Sequence, residues 1–327
     1  MAVHAHMLLM LASSCASDRL RMQSLTVGCH GAIRGPALMN SIDAYRAIAR
    51  IFSRPVYRGL AEGRVALPLQ DVLNKNALGP RAAEETIEAV FERAYEHLTK
   101  NYRSEYVYKN TIVQKIVFGQ YAPSTTAFLS EFNVGSSKAD AVVLNGTSSV
   151  YEIKTQYDSL SRLPTQLSDY CRVFDYVTVV THEAGAASVE RLAPDHVGIL
   201  VLERRGRLKT IRAALSNVAN IESDAIFRCL RRDEYQRILH RTCGNVPAVA
   251  PSLLWHACRE EFSKLPAAVA HMEMVNELRK RTTNRAKVEL VSSLPKSLRA
   301  LGLAEPLSLA RGKSLLENLS FPLHRLL

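Results

Sequence analysis

The chain has 327 residues, 47% hydrophobic and 22% charged, an ordinary balance for a globular protein able to bury a sizeable core. Its net charge of +11 is local rather than spread: residues 203–241 hold ten Lys/Arg against five Asp/Glu, and residues 275–327 hold ten against four. The six cysteines form no Cys-x-x-Cys pair and no stretch approaches the ~20 apolar residues of a membrane span, which excludes a disulfide framework, a patterned zinc site and a membrane partner.

Concentrated positive charge suits a polyanion, because phosphate contacts release counterions, so nucleic acid is the expected partner. A cytoplasmic protein with buried free thiols is expected. Residues 1–38 lack a sustained period and read as disordered, or as lying upstream of the true start. Met7–Cys15 only loosely imitates a signal segment, since no Lys or Arg precedes its short apolar run, and Met39 opens a clear helical pattern.

Residues 39–104 read as a helical N-terminal region. One helix is expected from Asn40 to about Leu60, with Ile42, Tyr45, Ile48 and Ala49 on one face. Residues 61–81, punctuated by Gly63, Pro68, Gly79 and Pro80, read as a connection with at most a short helix. Ala82–Lys100 repeats apolar residues at helical spacing, and Glu84, Glu85 and Glu88 suit its N-terminus. A further helix is expected over 107–119, with Ile112, Val113, Ile116 and Val117 as its buried stripe.

After Pro123 the period changes from helical to alternating. Phe128–Val134, Lys138–Leu144 and Ser149–Lys154 read as three antiparallel strands joined by turns at Gly135-Ser136 and Asn145–Thr147. A two-residue turn at 135–136 sets Glu131 opposite Asp140, and a three-residue loop at 145–147 sets Asp140 opposite Glu152. Residues opposite across a ladder share a face, so a row of three carboxylates is expected, provided that no strand slips by one residue. A helix follows from Pro164 to about Phe174, then a strand buried on both faces at Tyr176–Thr181, then a hairpin of Gly198–Leu202 and Leu208–Arg212. Residues 216–327 read as a basic helical region, with helices to about 240 and from about 252 to 290.

The chemistry lies between Asp140 and Lys154. Period-2 geometry puts Glu152 and Lys154 on one face of their strand, with Ile153 on the other. Asp140 and Glu152, with the Ile153 carbonyl and Glu131 as further ligands, suit Mg²⁺ or Mn²⁺, which would activate a water beside a phosphate. Lys154 would orient that water and stabilise the developing negative charge. Solvated strand charges are the plainer reading of an Asp followed by Glu-x-Lys, but the strand meander and the following helix weigh against it. Elsewhere the plain readings prevail: Asp158 caps a turn, Tyr170 and Phe174 mark a core face, His182 sits in a loop, Trp255 packs a helix, and Arg162 forms a surface pair as readily as it meets a phosphate. Arg204, Arg205 and Arg207 at a hairpin tip suit phosphate contact or simple solvation.

Asp140-x11-Glu152-Ile153-Lys154, followed by Gln166-x-x-x-Tyr170, resembles the PD-(D/E)XK nuclease-like superfamily. Tyr-Glu-Ile-Lys at 151–154, Arg-Leu-Pro-Thr-Gln at 162–166 and Arg-Val-Phe-Asp-Tyr-Val-Thr-Val-Val at 172–180 are similar to an uncharacterised bacterial branch of it. The resemblance covers residues 105–215. It implies a restriction-endonuclease-like α/β core, a mixed central sheet flanked by helices, here with added helical N- and C-terminal regions. It further implies Asp140, Glu152 and Lys154 as the catalytic set, with Gln166 and Tyr170 beside it. The sequence departs from the pattern in two places: Ala139 replaces the proline before the aspartate, and the helix at 107–119 offers Gln114 where the superfamily has a glutamate. The function expected is a metal-dependent nuclease, on DNA before RNA; the alternative is a non-catalytic nucleic-acid-binding or regulatory protein on the same fold.

Overall fold

The computed structural model describes residues 41–80, 82 and 84–325, and these described residues form one compact unit. The expectations for residues 1–38, including Cys15 and Cys29, lie outside the described residues. The elements among the described residues before 118 are helical: α1 Ser41–Arg50, α2 Arg54–Ala61, α3 Leu67–Asn74, α4 Ile87–Asn101 and α5 Glu105–Ile112, the last continued by a π-helical turn at Val113–Val117. The single helix expected over 40–60 is two, because Pro55 occupies the first turn of α2 and cannot continue the hydrogen bonding of α1. The helix expected from Ala82 starts at Ile87, where the Thr86 hydroxyl accepts from the Ala89 N–H at 3.2 Å, so Glu84 and Glu85 precede it.

Six strands follow in chain order: β1 Ala127–Val134, β2 Ser137–Asn145, β3 Thr147–Lys154, β4 Tyr176–Thr181, β5 Gly198–Leu202 and β6 Leu208–Arg212. They form one mixed sheet of order β1-β2-β3-β4-β5-β6, with β3, β4 and β5 parallel and the other neighbours antiparallel. The parallel steps need crossovers, supplied by α6 Leu163–Cys171 and α7 Ala186–Leu192. The remaining helices are α8 Ser223–Cys229, α9 Arg232–Cys243, α10 Leu254–Ser263, α11 Ala267–Arg279, α12 Arg285–Ser293, α13 Arg299–Ala304 and α14 Leu309–Ser320. The continuous helical pattern read over 252–290 is therefore three helices, broken at Pro266 and again before Asn284, whose side chain caps α12.

The sheet separates two apolar cores. One holds Phe128, Ala141, Val143, Tyr151, Ile153 and Val180 against α1–α5 and α12–α14; the other holds Val142, Leu144, Val150, Val177 and Val179 against α6–α11. The segments 39–104, 105–215 and 216–327 therefore share their cores. An isolated bridge from Thr86 to Pro322 also ties the start of α4 to the segment after α14. Among the described residues no helix is long and apolar enough to cross a membrane. The described cysteines are free: Cys258 is buried, Cys171 and Cys229 are half-buried, and Cys243 is exposed, contrary to the expectation of buried thiols throughout.

The β1–β2 register follows the expected arithmetic: Val134 pairs with Ser137, Phe132 with Ala139 and Ser130 with Ala141. Gly135 holds the turn at φ +57°, and the Asp169 carboxylate of α6 accepts from the Ser136 N–H at 3.1 Å and the Ser137 hydroxyl at 2.7 Å. A Cβ on Gly135 would lie 2.6 Å from Asp169 Oδ1. Gly135→Ala is therefore expected to destabilise the fold by about 1–2 kcal/mol through the left-handed backbone alone, and by more through the clash. Urea unfolding measures this, and an unchanged midpoint would contradict it.

Candidate active site

β2 and β3 pair Ala141 with Tyr151, so the register extends to Asp140 opposite Glu152 as the three-residue loop requires. The expected row of three nonetheless divides. Along β1, Phe128 belongs to the core under α5, whereas Phe132 and Val134 belong to the other core with Ala127 and Leu129. Along β2, Ala141 and Val143 belong to the first core, and Ala139 to the second with Val142 and Leu144. Both strands thus lose their alternation at the level of Glu131 and Asp140, and Glu131 takes φ +57°, a left-handed value unusual for a residue with a Cβ.

The consequence is a carboxylate cluster on the α5 side. Carboxylate oxygens of Glu105, Glu131 and Asp140 all lie within 4.8 Å of one another. Glu105 is the helical acid that the sequence reading did not find. It stands in the first turn of α5, two residues before the helix was expected to begin, and Ser104 at the N-cap position is the signal that could have placed it. Gln114 lies apart, donating to the Lys296 carbonyl at 2.8 Å and accepting from Arg299 at 3.2 Å. Lys109, one turn after Glu105, was also missed; its ammonium pairs with Glu105 at 2.5 Å and with Glu131.

The electrostatics of the cluster are uneven. Burial pushes the Asp140 carboxyl up to about 8, and the nearby Glu152 and Glu105 charges push in the same direction. The Ile153 N–H donates to Asp140 Oδ2 at 2.7 Å and opposes that rise without cancelling it. Burial also pushes Glu131 up, but Lys109 and Lys138 outweigh it and hold that carboxyl below its usual value. For Lys109, burial works downward, and the Glu105 and Glu131 carboxylates leave its ammonium raised.

Glu152 and Lys154 face the α6 side. Both are buried, 2% and 5% exposed, and their side chains meet at 2.7 Å. Lys154 Nζ also donates to Gln166 Oε1 at 2.8 Å, and the Tyr170 hydroxyl donates to Glu152 Oε2 at 2.8 Å. Gln166 and Tyr170 stand one turn apart on α6, so one helix face locks both strand residues. Burial and the Glu152 charge raise the Tyr170 hydroxyl far above its usual value, so it remains a donor. Asp158 closes the turn after β3, accepting from the Thr155 N–H at 2.8 Å, as the capping reading expects.

Between residues 99 and 297, more than half of the chain, the sequence matches the family described as bacteriophage P4 protein cII. The chain belongs to that family. No curated protein and no solved structure matches the chain.

The Asp140 shift has a readable consequence in EDTA. Its folded-state pKa lies above the ordinary 3.8, so its stabilising contribution is full below about pH 4 and is lost as pH rises towards 8. Asp140→Asn removes a charge that burial opposes. The variant should therefore melt above the parent protein at pH 8 and lose the advantage by pH 4, in parallel thermal scans. An equal difference at both pH values would contradict the assignment.

Proposed function

We propose that the protein is a metal-dependent nuclease, hydrolysing phosphodiester bonds, with the restriction-endonuclease-like architecture that the sequence resemblance implies. The observation that carries this reading is the convergence of Glu105, Glu131 and Asp140 beside a Glu152–Lys154 pair held by α6. The order α5, three antiparallel strands, α6 and a parallel strand accords with that architecture. The donor set is all oxygen, and burial with acidic neighbours disfavours the ionised Asp140 carboxylate unless a positive charge joins it, which fits a hard divalent cation such as Mg²⁺ or Mn²⁺.

Asp140, Glu131 and Glu105 would hold the cation, with Glu152 adjoining from the next strand. When bound, the cation would lower the pKa of a water and polarise the scissile phosphate. The remaining work falls to the chain. Lys154 places a positive charge where negative charge develops on the phosphate, and its bonds to Glu152 and Gln166 fix it there before substrate arrives. Tyr170 holds the second Glu152 oxygen and so sets the direction of that carboxylate. Lys109, on the α5 side, balances charge on Glu105 and Glu131.

Purified protein should cut single-stranded or duplex DNA, in preference to RNA, with Mg²⁺ or Mn²⁺ and not in EDTA. Asp140→Asn and Lys154→Gln should each lower the rate at least ~100-fold, in the range lost with one transition-state donor. Glutamine is chosen because its amide N–H can still donate to Glu152, which limits the cost of about 3–5 kcal/mol for leaving a buried charge with no partner. Intact substrate after incubation with wild-type protein under every metal condition would sink the reading.

A second reading has its own support. Lys109 already bridges Glu105 and Glu131, and Glu152 already bonds Lys154 and Tyr170, so most of the acid charge is balanced within the chain. That balance favours a non-catalytic nucleic-acid-binding role, distinguished by binding that is indifferent to metal and leaves the nucleic acid whole.

A further inference from the structure

The edge of the sheet at β1 carries two connected hollows. The larger, about 840 Å³, runs beside residues 128–133 and is walled by the α8–α9 junction, the α11–α12 junction and the end of α13. Seven cationic side chains line it, including Arg54, Lys138, Arg231, Lys280 and Lys287, and among the described residues Glu131 is the one carboxylate doing so. Five of these cations already have partners: Arg281 grips the buried Glu234 with bonds of 2.7 and 2.6 Å, Lys280 meets Glu277 at 2.8 Å, Arg228 meets Asp224 at 3.0 Å, Arg54 lies 3.7 Å from Glu305, and Lys138 lies 3.7 Å from Glu131. Arg231 is exposed and forms no ion pair among the described residues, and Lys287 bonds only the Arg281 carbonyl, at 3.1 Å. Arg231 and Lys287 thus leave positive charge free to attract an anion into the groove.

The smaller hollow, about 310 Å³, differs in character. Phe52, Tyr106, Phe128, Ala300 and Leu301 form its floor, and Glu105, Lys109 and Glu131 stand at its side. Phe52 and Tyr106 stack within it at 4.7 Å and 15°. Arg54, Phe128, Ser130, Glu131 and Ala304 line both hollows, so the aromatic recess opens off the basic groove at the carboxylate cluster. The recess has the size and apolar lining of a site for a small planar heterocycle.

We infer that the groove takes a single nucleic-acid strand, its phosphates along the cationic wall and one unstacked base in the aromatic recess beside Glu105 and Glu131. This rests on the nuclease reading only in its choice of polyanion; the groove is a binding surface whether or not the carboxylates cut. Phosphate contacts supply affinity without regard to sequence, and an apolar recess accepts any base by taking its faces out of water. A base in an intact duplex is stacked and paired and cannot enter the recess without being extruded. Single strands and unpaired ends are therefore the favoured substrates.

Fluorescence anisotropy with labelled oligonucleotides in EDTA tests this apart from cleavage. Wild-type protein should bind a single strand at least ~10-fold more tightly than the blunt duplex of the same sequence. Arg231→Ala with Lys287→Ala should weaken single-strand binding at least ~10-fold and flatten its salt dependence by about 1.4 in log–log slope, two phosphate contacts at about 0.7 each. Ala304→Trp, which alters no charge, should close the recess mouth and abolish the preference for single strands. Should that variant fail to fold, a strand of the same length with every base replaced by an abasic site makes the same test, binding wild-type protein no more tightly than the ordinary duplex. Equal binding of strand and duplex by wild-type protein, binding of neither, or a preference that survives both the tryptophan and the abasic probe would overturn the inference. Asp140→Asn binding as wild type while failing to cut would separate this surface from the catalytic reading.

Discussion

Neighbouring side chains on a strand point to opposite faces of a sheet, and the site depends on β1 and β2 departing from that rule at the same level. Were the alternation kept, position 131 would share a face with Leu129 and position 140 with Val142, both in the core against α6–α11. The left-handed backbone at Glu131 and the matching change at Asp140 let both carboxylates gather with Glu105 at the first turn of α5. β3 keeps its alternation, with Tyr151 and Ile153 in one core and Val150 in the other, so Glu152 and Lys154 face α6. The acids are thus split across a strand boundary, linked by the Ile153 N–H bonded to Asp140. A left-handed residue with a Cβ costs on the order of 1–2 kcal/mol, and local strain of this kind concentrates where geometry serves function.

Charge is handled differently on the two sides. The Glu152–Lys154 pair is buried but bonded at every turn, to Gln166, to Tyr170 and to itself, which is the condition under which a buried pair is tolerated. On the other side Lys109 answers Glu105 and Glu131, and Asp140 is left with a carboxyl raised by burial and by its acidic neighbours. Under the proposed function, that contrast assigns the cation to the α5 side and leaves the Lys154 ammonium on the α6 side.

The basic excess is also divided by the fold. Arg237, Arg241 and Lys280 all pair with the buried Glu277, and Arg281 with Glu234, so four of the twenty cations in the two basic stretches are held here, three of them tying α9 to α11 and its C-terminal end. The Arg204–Arg207 tip joins β5 to β6, at the opposite edge of the sheet from β1 and the carboxylates. Sequence counts alone treat these arginines alike, but only those beside β1 adjoin the acid cluster.

What was legible in the sequence was local. Turn chemistry at Gly135-Ser136 and Asn145–Thr147 determined the registers of β1–β2 and β2–β3, because loop length and period-2 alternation leave little freedom. The four-residue spacing of Gln166 and Tyr170 placed both on one face of α6, and the β-branched run at 176–181 marked a strand covered on both sides. Pro55 and Pro266 mark where helices end and begin, but the apolar periodicity on either side of them was read without those breaks. Tertiary structure alone decided which strand residues lose their alternation, and it brought Glu105 and Lys109 across from a helix more than twenty residues before Glu131. It also selected, from a chain of charge +11, the few cations that flank the site. The physical reason is that a turn restricts its own neighbours, whereas the packing of α5, α8–α9 and α11–α13 around the β1 edge depends on the whole apolar core.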